Sequence, residues 1–74
     1  MTLGELIGIA RECKGMSLRD LERASGVSNA LISQIETGKV KSPGFWTMVA
    51  LSQALGITLE RMAQTAHLTG ETKP

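Results

Sequence analysis

Residues 17–38 read SLRDLERASGVSNALISQIETG, and this stretch decides the fold that the sequence predicts. Ser17 and Ser28 belong to the residue types that cap helix N-termini, and Gly26 lies between them where a helix would end. The stretch therefore predicts two short helices joined by a glycine-containing turn. The two isoleucines of the second helix are spaced to face a core.

A further helix is predicted ahead of this pair. Thr2 and Glu5 match the capping-box signature, and Gly15 suits the end of the helix. Its buried face is expected to consist of Leu6, Ile9, Ala10 and Cys13, with Leu3 and Ile7 to one side. The single Cys13 is thus expected to be a small, buried apolar residue.

Two helices are predicted after the pair. Ser42 reads as an N-cap with Pro43 at the first helical position, and Gly56 would end this fourth helix. Its core face is expected to be Phe45, Met48, Leu51 with Ser52, and Leu55. Thr58 would cap a fifth helix, whose apolar stripe is Leu59, Met62, Ala63 and Ala66. We therefore predict an all-α, compact five-helix domain over residues 1–68, with a short polar, disordered tail at 69–74.

Composition excludes several classes of protein. The chain has 74 residues with one cysteine, one histidine and no tyrosine. It therefore lacks the ligands of a structural zinc site and a nucleophile with its base, so we expect no metal, no cofactor and no enzyme. No apolar run approaches the ~20 residues of a membrane span, and the N-terminus lacks a signal-peptide pattern. We expect a cytoplasmic protein.

The order of residues across the domain carries a further signal. It includes Leu21, GVS at 26–28, ISQIE at 32–36, Gly38, Lys39, Pro43, and ALGITL at 54–59. This pattern resembles the phage repressor and Cro family, also called the XRE family, of helix-turn-helix proteins. The resemblance covers residues 5–66. It implies a lambda-repressor-like fold, a prokaryotic or phage origin, and a transcriptional repressor that binds an inverted-repeat operator as a dimer.

In that family, the second helix of the motif reads the major groove. Here it is the helix at 28–36, and the base contacts that the resemblance implies are Ser28, Asn29, Ala30, Leu31, Ser33 and Gln34. An asparagine such as Asn29 can bond an adenine edge in bidentate fashion. Leu31 could make only apolar contacts with a base, and its alternative is packing against a neighbouring helix. The helix has no Arg or Lys for guanine, so an A·T-leaning site is expected.

The resemblance also implies contacts outside the reading helix. The expected phosphate contacts are Ser17, Arg19, Lys39 and Lys41. Leu18 occupies a position where the family often has a phosphate-gripping glutamine, so one such contact is absent or replaced by Arg19. Arg11 and Glu36 are expected to form a structural salt bridge; the alternative is two separate surface charges.

The charge of the chain is low for a DNA-binding protein. The formal net charge is +1, and five basic against three acidic side chains lie in the segment around residues 14–41. Because phosphate neutralisation supplies most non-specific affinity, a monomer of this charge should bind DNA poorly. A homodimer, with reading helices about 34 Å apart, would compensate.

Apolar residues that fall off the predicted core face suggest an interface. Trp46 lies on a second stripe of the fourth helix. The candidate dimer or partner interface consists of Trp46, Val49, Leu59, Met62, Ala66 and Leu68. These surplus apolar residues also suggest an alternative function, a protein-interaction or antitoxin-type module that uses the same scaffold to bind a partner protein.

Overall fold

Five α-helices follow one another along the chain: α1 (Leu3–Cys13), α2 (Leu18–Ser25), α3 (Asn29–Glu36), α4 (Phe45–Leu55) and α5 (Leu59–His67). The computed structural model describes the backbone of residues 1–67 and the side chains of residues 1–65, and that part of the chain contains no strand. The predicted all-α, five-helix fold is confirmed. The predicted tail at 69–74 lies outside the described residues.

Local capping interactions set where α1 and α2 begin. The Thr2 hydroxyl accepts from the Glu5 amide at 3.1 Å, and a Glu5 carboxylate oxygen accepts from the Thr2 amide at 2.9 Å. Ser17 and Asp20 form the same reciprocal pair at 3.0 and 2.9 Å. Each pair satisfies two backbone donors that a helix leaves free, which is why these boundaries follow directly from sequence.

The predicted start of α4 is wrong. The helix begins at Phe45, and its N-cap is Gly44 rather than Ser42. Gly44 has an extended backbone, with φ −62° and ψ 161°, so no helical run can begin before the residue that follows it. Pro43 has a φ that suits a first helical position, but this preference is a weak local term and does not constrain the next residue.

All five helices contribute to one apolar core. The side chains that are almost completely buried are Ile7, Leu21, Ile32, Ile35, Leu51 and Met62. Val27, in the turn between α2 and α3, is only 8% exposed and belongs to the same core. Each helix therefore packs against the others through a narrow face, and the remaining surface of α2 and α3 is left to solvent.

The predicted core face of α1 needs correction. Ile9 is 49% exposed and Cys13 is also exposed, whereas Leu3 and Ile7 are buried. The helix is rotated relative to the predicted stripe because it approaches α3 through its glycines. Cys13 is therefore a surface thiol and not a core residue.

Two further core assignments are wrong. Phe45 is 59% exposed because it lies in the first turn of α4, beyond the edge of the core, while Leu51, Ser52 and Leu55 are buried as predicted. Ala63 is exposed because α5 buries only a narrow face against α1 and α4, centred on Met62. The predicted apolar stripe was wider than the contact surface.

Gly4 allows α1 and α3 to cross at very short range. A Cβ atom built on Gly4 would meet the carbonyl oxygen of Ile35 and would lie 2.9 Å from that of Glu36. Both obstacles are backbone atoms, which cannot move away as a flexible side chain can. The close crossing of these helices therefore requires glycine at position 4.

We expect Gly4→Ala to lower the free energy of unfolding by about 1–3 kcal/mol, because the added methyl group overpacks a backbone contact. Gly8→Ala is the matched control on the same helix. A Cβ there would be 3.4 Å from a Glu36 side-chain oxygen, an ordinary contact. Since alanine is the better helix former, that variant should be neutral or stabilised. Urea unfolding followed by circular dichroism measures both, and equal losses would contradict the close-crossing argument.

Candidate nucleic-acid interface

The turn between α2 and α3 is held by a compact set of hydrogen bonds. Gly26 has a left-handed backbone with φ 79°, and its amide donates to the Glu22 carbonyl at 2.7 Å. The Ser25 hydroxyl donates to the Leu21 carbonyl at 2.7 Å and accepts from the Val27 amide at 3.1 Å. This network, together with the buried Val27, fixes the angle between the two helices of the motif.

One side of α3 is open to solvent, although not every predicted base-contact residue lies on it. Ser28, Ala30 and Gln34 are exposed, and Asn29, Leu31 and Ser33 are half-buried. The Ser28 hydroxyl accepts from the Leu31 amide at 3.1 Å and so caps the helix. Leu31 packs against the apolar core, in agreement with the alternative role of packing against neighbouring helices.

Asn29 is tied to α2 by a side-chain hydrogen bond. Its Nδ2 donates to Glu22 Oε1 at 2.9 Å. Glu22 was missed as a site residue because the contact crosses the turn between two helices. Helical periodicity pairs only residues of one helix, so it gives no signal for a pair of this kind.

Arg11 and Glu36 form the predicted ion pair between α1 and the end of α3. Arg11 donates through Nε to Glu36 Oε2 at 2.8 Å and through Nη2 to Oε1 at 3.1 Å. The side chains are only 13% and 16% exposed. The hydrogen bond to Glu36 raises the pKa of Arg11 above its ordinary value, so the guanidinium keeps its charge.

The same arginine also holds the segment that leads into α2. Its Nη1 donates to the Met16 carbonyl at 2.7 Å. Met16 is followed directly by Ser17, the cap of α2. One side chain therefore joins α1, the start of α2 and the end of α3.

The predicted phosphate contacts differ in their surroundings. Arg19, Lys39 and Lys41 are exposed cations. Ser17 is exposed as well, but it lies against Asp20, whose pKa is lowered by hydrogen bonds from the Ser17 amide and hydroxyl. Asp20 is paired with Arg23 at 2.7 Å. An ionised carboxylate beside Ser17 opposes a phosphate there, so the three cations are the stronger candidates.

The predicted interface residues are only partly exposed. Trp46 is 78% exposed and contacts Phe45 edge-to-face, with ring centroids 5.0 Å apart. Val49 and Leu59 are half-buried. Met62 has no exposed surface because it fills the core, so its assignment to an interface is wrong. The side chain of Ala66, and Leu68 as a whole, lie outside the described residues.

The described residues also bear on metal binding and on insertion into a membrane. No group of three or more His, Cys, Asp or Glu side chains is placed to hold a metal ion there. None of the five described helices is long and apolar enough to span a membrane.

Comparison with known proteins identifies the architecture. A family model described as helix-turn-helix matches residues 5–62, which include α2, α3 and α4, most of α1 and the first turn of α5. No curated protein and no solved structure matches the chain.

We expect Glu36→Gln and Arg11→Met each to lower the free energy of unfolding by about 2–4 kcal/mol, because each removes one charge of a largely buried ion pair. Arg23→Met is the matched control, since that arginine is 73% exposed in its pair with Asp20. It should cost less than about 1 kcal/mol. Denaturant unfolding at neutral pH measures all three. Similar losses for the buried and exposed pairs would contradict this ranking.

Proposed function

This chain belongs to the Cro/C1-type helix-turn-helix family, and on that basis we propose that it is a sequence-specific transcriptional repressor that binds an operator as a dimer. The family supports the coarser statement directly: the domain is a DNA-binding regulator. The observation that carries the proposal is the exposed polar side of α3. It stands clear of the core and is held at a fixed angle by the turn and by Arg11.

The proposed base contacts are concentrated at two positions of α3. Asn29 and Gln34 carry amides that can bond the N7 and N6 positions of adenine in bidentate fashion. Ser28 and Ser33 add hydroxyl groups that accept or donate, and Ala30 is small enough to lie against a thymine methyl group. Leu31 is half-buried against the core, so it contributes to base reading only through the exposed part of its side chain. The proposed site is therefore rich in A·T pairs.

The proposed phosphate contacts provide affinity rather than selectivity. Arg19 lies at the start of α2, and Lys39 and Lys41 lie in the loop that follows α3. Such contacts position a protein on the duplex and release counterions without distinguishing bases. With a formal net charge of +1, one copy has few of them. Two copies on one operator would double that number, and this argues for a dimer.

The exposed aromatic pair is the proposed dimer contact. Trp46 and Phe45 are the exposed large apolar side chains of the described segment from α3 to α5, and Val49 lies one turn further along α4. Aromatic side chains of this kind dominate the energetics of protein interfaces. Repression follows from occupancy, because a bound dimer excludes other proteins from the same DNA.

Selection from a randomised duplex pool at two salt concentrations tests the proposal. We expect the retained fraction to contain an inverted repeat with half-sites about one helical turn apart. Asn29→Ala should lose preference at one position in each half-site, at a cost of about 1–3 kcal/mol. Lys39→Ala should instead weaken binding to all sequences and reduce the salt dependence by about one counterion. A folded protein that recovers no motif at either salt concentration would contradict the proposal.

A second candidate function is the protein-interaction or antitoxin-type module. The exposed Trp46 and the low net charge are the observations that favour it. Under this alternative, the aromatic pair binds a different protein and the polar side of α3 has no sequence preference.

We expect Trp46→Ser to convert the dimer to a monomer in analytical ultracentrifugation and to weaken inverted-repeat binding at least 10-fold. Ile9→Ser is the matched control, because Ile9 is also a large apolar side chain and is 49% exposed. It should leave both properties unchanged. A wild-type protein that stays monomeric yet binds an inverted repeat would overturn the dimer assignment. A wild-type protein that uses Trp46 for association but selects no DNA would favour the interaction module.

A further inference from the structure

The hydrogen bond between Glu22 and Asn29 joins the two helices of the motif at the start of α3. Asn29 Nδ2 lies 2.9 Å from Glu22 Oε1, and both side chains are half-buried. Within the described residues, Glu22 takes part in no ion pair. The carboxylate is therefore directed to an amide at the reading surface instead of to a basic partner.

A carboxylate constrains the orientation of a neighbouring amide. Ionised Glu22 can only accept hydrogen bonds, so it binds the NH₂ side of the Asn29 amide and repels its carbonyl oxygen. A 180° flip of the amide would place two acceptors against each other. The carboxylate of Glu22 therefore disfavours the flipped orientation of the Asn29 amide.

The orientation that remains has the groups that adenine requires. An asparagine amide has two N–H hydrogens, and one bond to Glu22 leaves the second hydrogen and the carbonyl oxygen free. Adenine presents an acceptor, N7, and a donor, the N6 amino group, in the major groove. One hydrogen bond to Glu22 is therefore compatible with a full bidentate contact between Asn29 and adenine.

We propose that Glu22 is a positioning residue that fixes the Asn29 amide in the orientation that reads adenine. The inference rests on the proposed function, since it assigns a role within the same DNA-binding surface. Glu22 acts before DNA is bound: the side chain of Asn29 is already ordered, so less conformational entropy is lost in the complex. Functional side chains whose orientation is locked by a supporting hydrogen bond are more selective than free ones.

The charge of Glu22 gives this role a distinctive signature. A carboxylate close to the groove repels phosphates, since the Debye length at physiological ionic strength is about 8 Å. Removing the charge should raise affinity for random DNA while selectivity at one base pair falls. A residue that merely stabilises the fold would lower both quantities together.

The test compares wild type, Glu22→Gln and Glu22→Ala on three kinds of duplex. These are the selected operator, the operator changed at the base pair whose preference is lost in Asn29→Ala, and a random duplex. We expect the preference for adenine to fall about 2- to 10-fold in Glu22→Ala, as for loss of one hydrogen bond. The fall should be smaller in Glu22→Gln, because its amide oxygen can still accept from Asn29 while its NH₂ group also permits the flipped orientation. Binding to the random duplex should be unchanged or stronger. In an Asn29→Ala background, Glu22→Gln should change the base preference no further.

Glu60→Gln is the matched control, because it removes one negative charge at an exposed position in the first turn of α5. It should leave the base preference unchanged. Circular dichroism establishes that each variant is folded. If Glu22→Ala is unfolded, Glu22→Met replaces it in the test, because methionine is close in size to the native residue and has no oxygen to accept from Asn29. In the free protein, the side-chain amide NMR signal of Asn29 should move in Glu22→Gln and not in Glu60→Gln.

Four results would overturn the inference, and one of them also removes the proposed function. Full adenine preference in Glu22→Ala would show that Glu22 does not act through Asn29. The same would follow if Glu22→Gln reduced the base preference as much in the Asn29→Ala background as in the wild type. An Asn29 amide signal that does not respond to Glu22→Gln would show the same without DNA. If wild type has no base preference on any duplex, the sequence-specific function itself fails.

Discussion

The close contact between α1 and α3 is the constraint on which the rest of this structure depends. Gly4 brings the two backbones together, and this approach places Glu36 within reach of Arg11. The third donor of Arg11 then fixes Met16, one residue before the cap of α2. A buried ion pair gains little net free energy, because desolvation offsets most of the Coulombic attraction. Its main effect here is geometric: it sets both helices of the motif against α1.

The parts of the fold that could be predicted from sequence are those whose physical cause is local. The capping boxes at Thr2 and Ser17 and the left-handed Gly26 depend on residues within four positions, so their signals are complete in the sequence. The start of α4 was predicted wrongly because its local signal is ambiguous. Pro43 tolerates helix and extended structure alike, and the extended Gly44 that follows decided the boundary.

The helix faces were harder to predict because they depend on long-range contacts. In α1, apolar residues occur on more than one side, so periodicity alone could not distinguish Ile7 from Ile9. The close approach at Gly4 selects Ile7 for the core, and no sequence pattern within α1 contains that information. For the site, the resemblance to the helix-turn-helix family predicted the ion pair between Arg11 and Glu36. Glu22 was missed because it contacts Asn29 across a turn.

The distribution of charge around α3 separates affinity from selectivity in the proposed function. The helix itself carries no cation, and the cations proposed to contact phosphate lie at the start of α2 and in the loop that follows α3. Glu22, which contacts Asn29 of α3, adds negative charge beside the polar surface, and this charge weakens attraction to any phosphate backbone. Non-specific DNA competes with an operator through that attraction to phosphates. A protein with weak phosphate attraction therefore prefers its operator over random DNA more strongly, for the same set of base contacts. On this argument, the low net charge is consistent with a regulator whose selectivity depends on a few oriented amides and on pairing two copies.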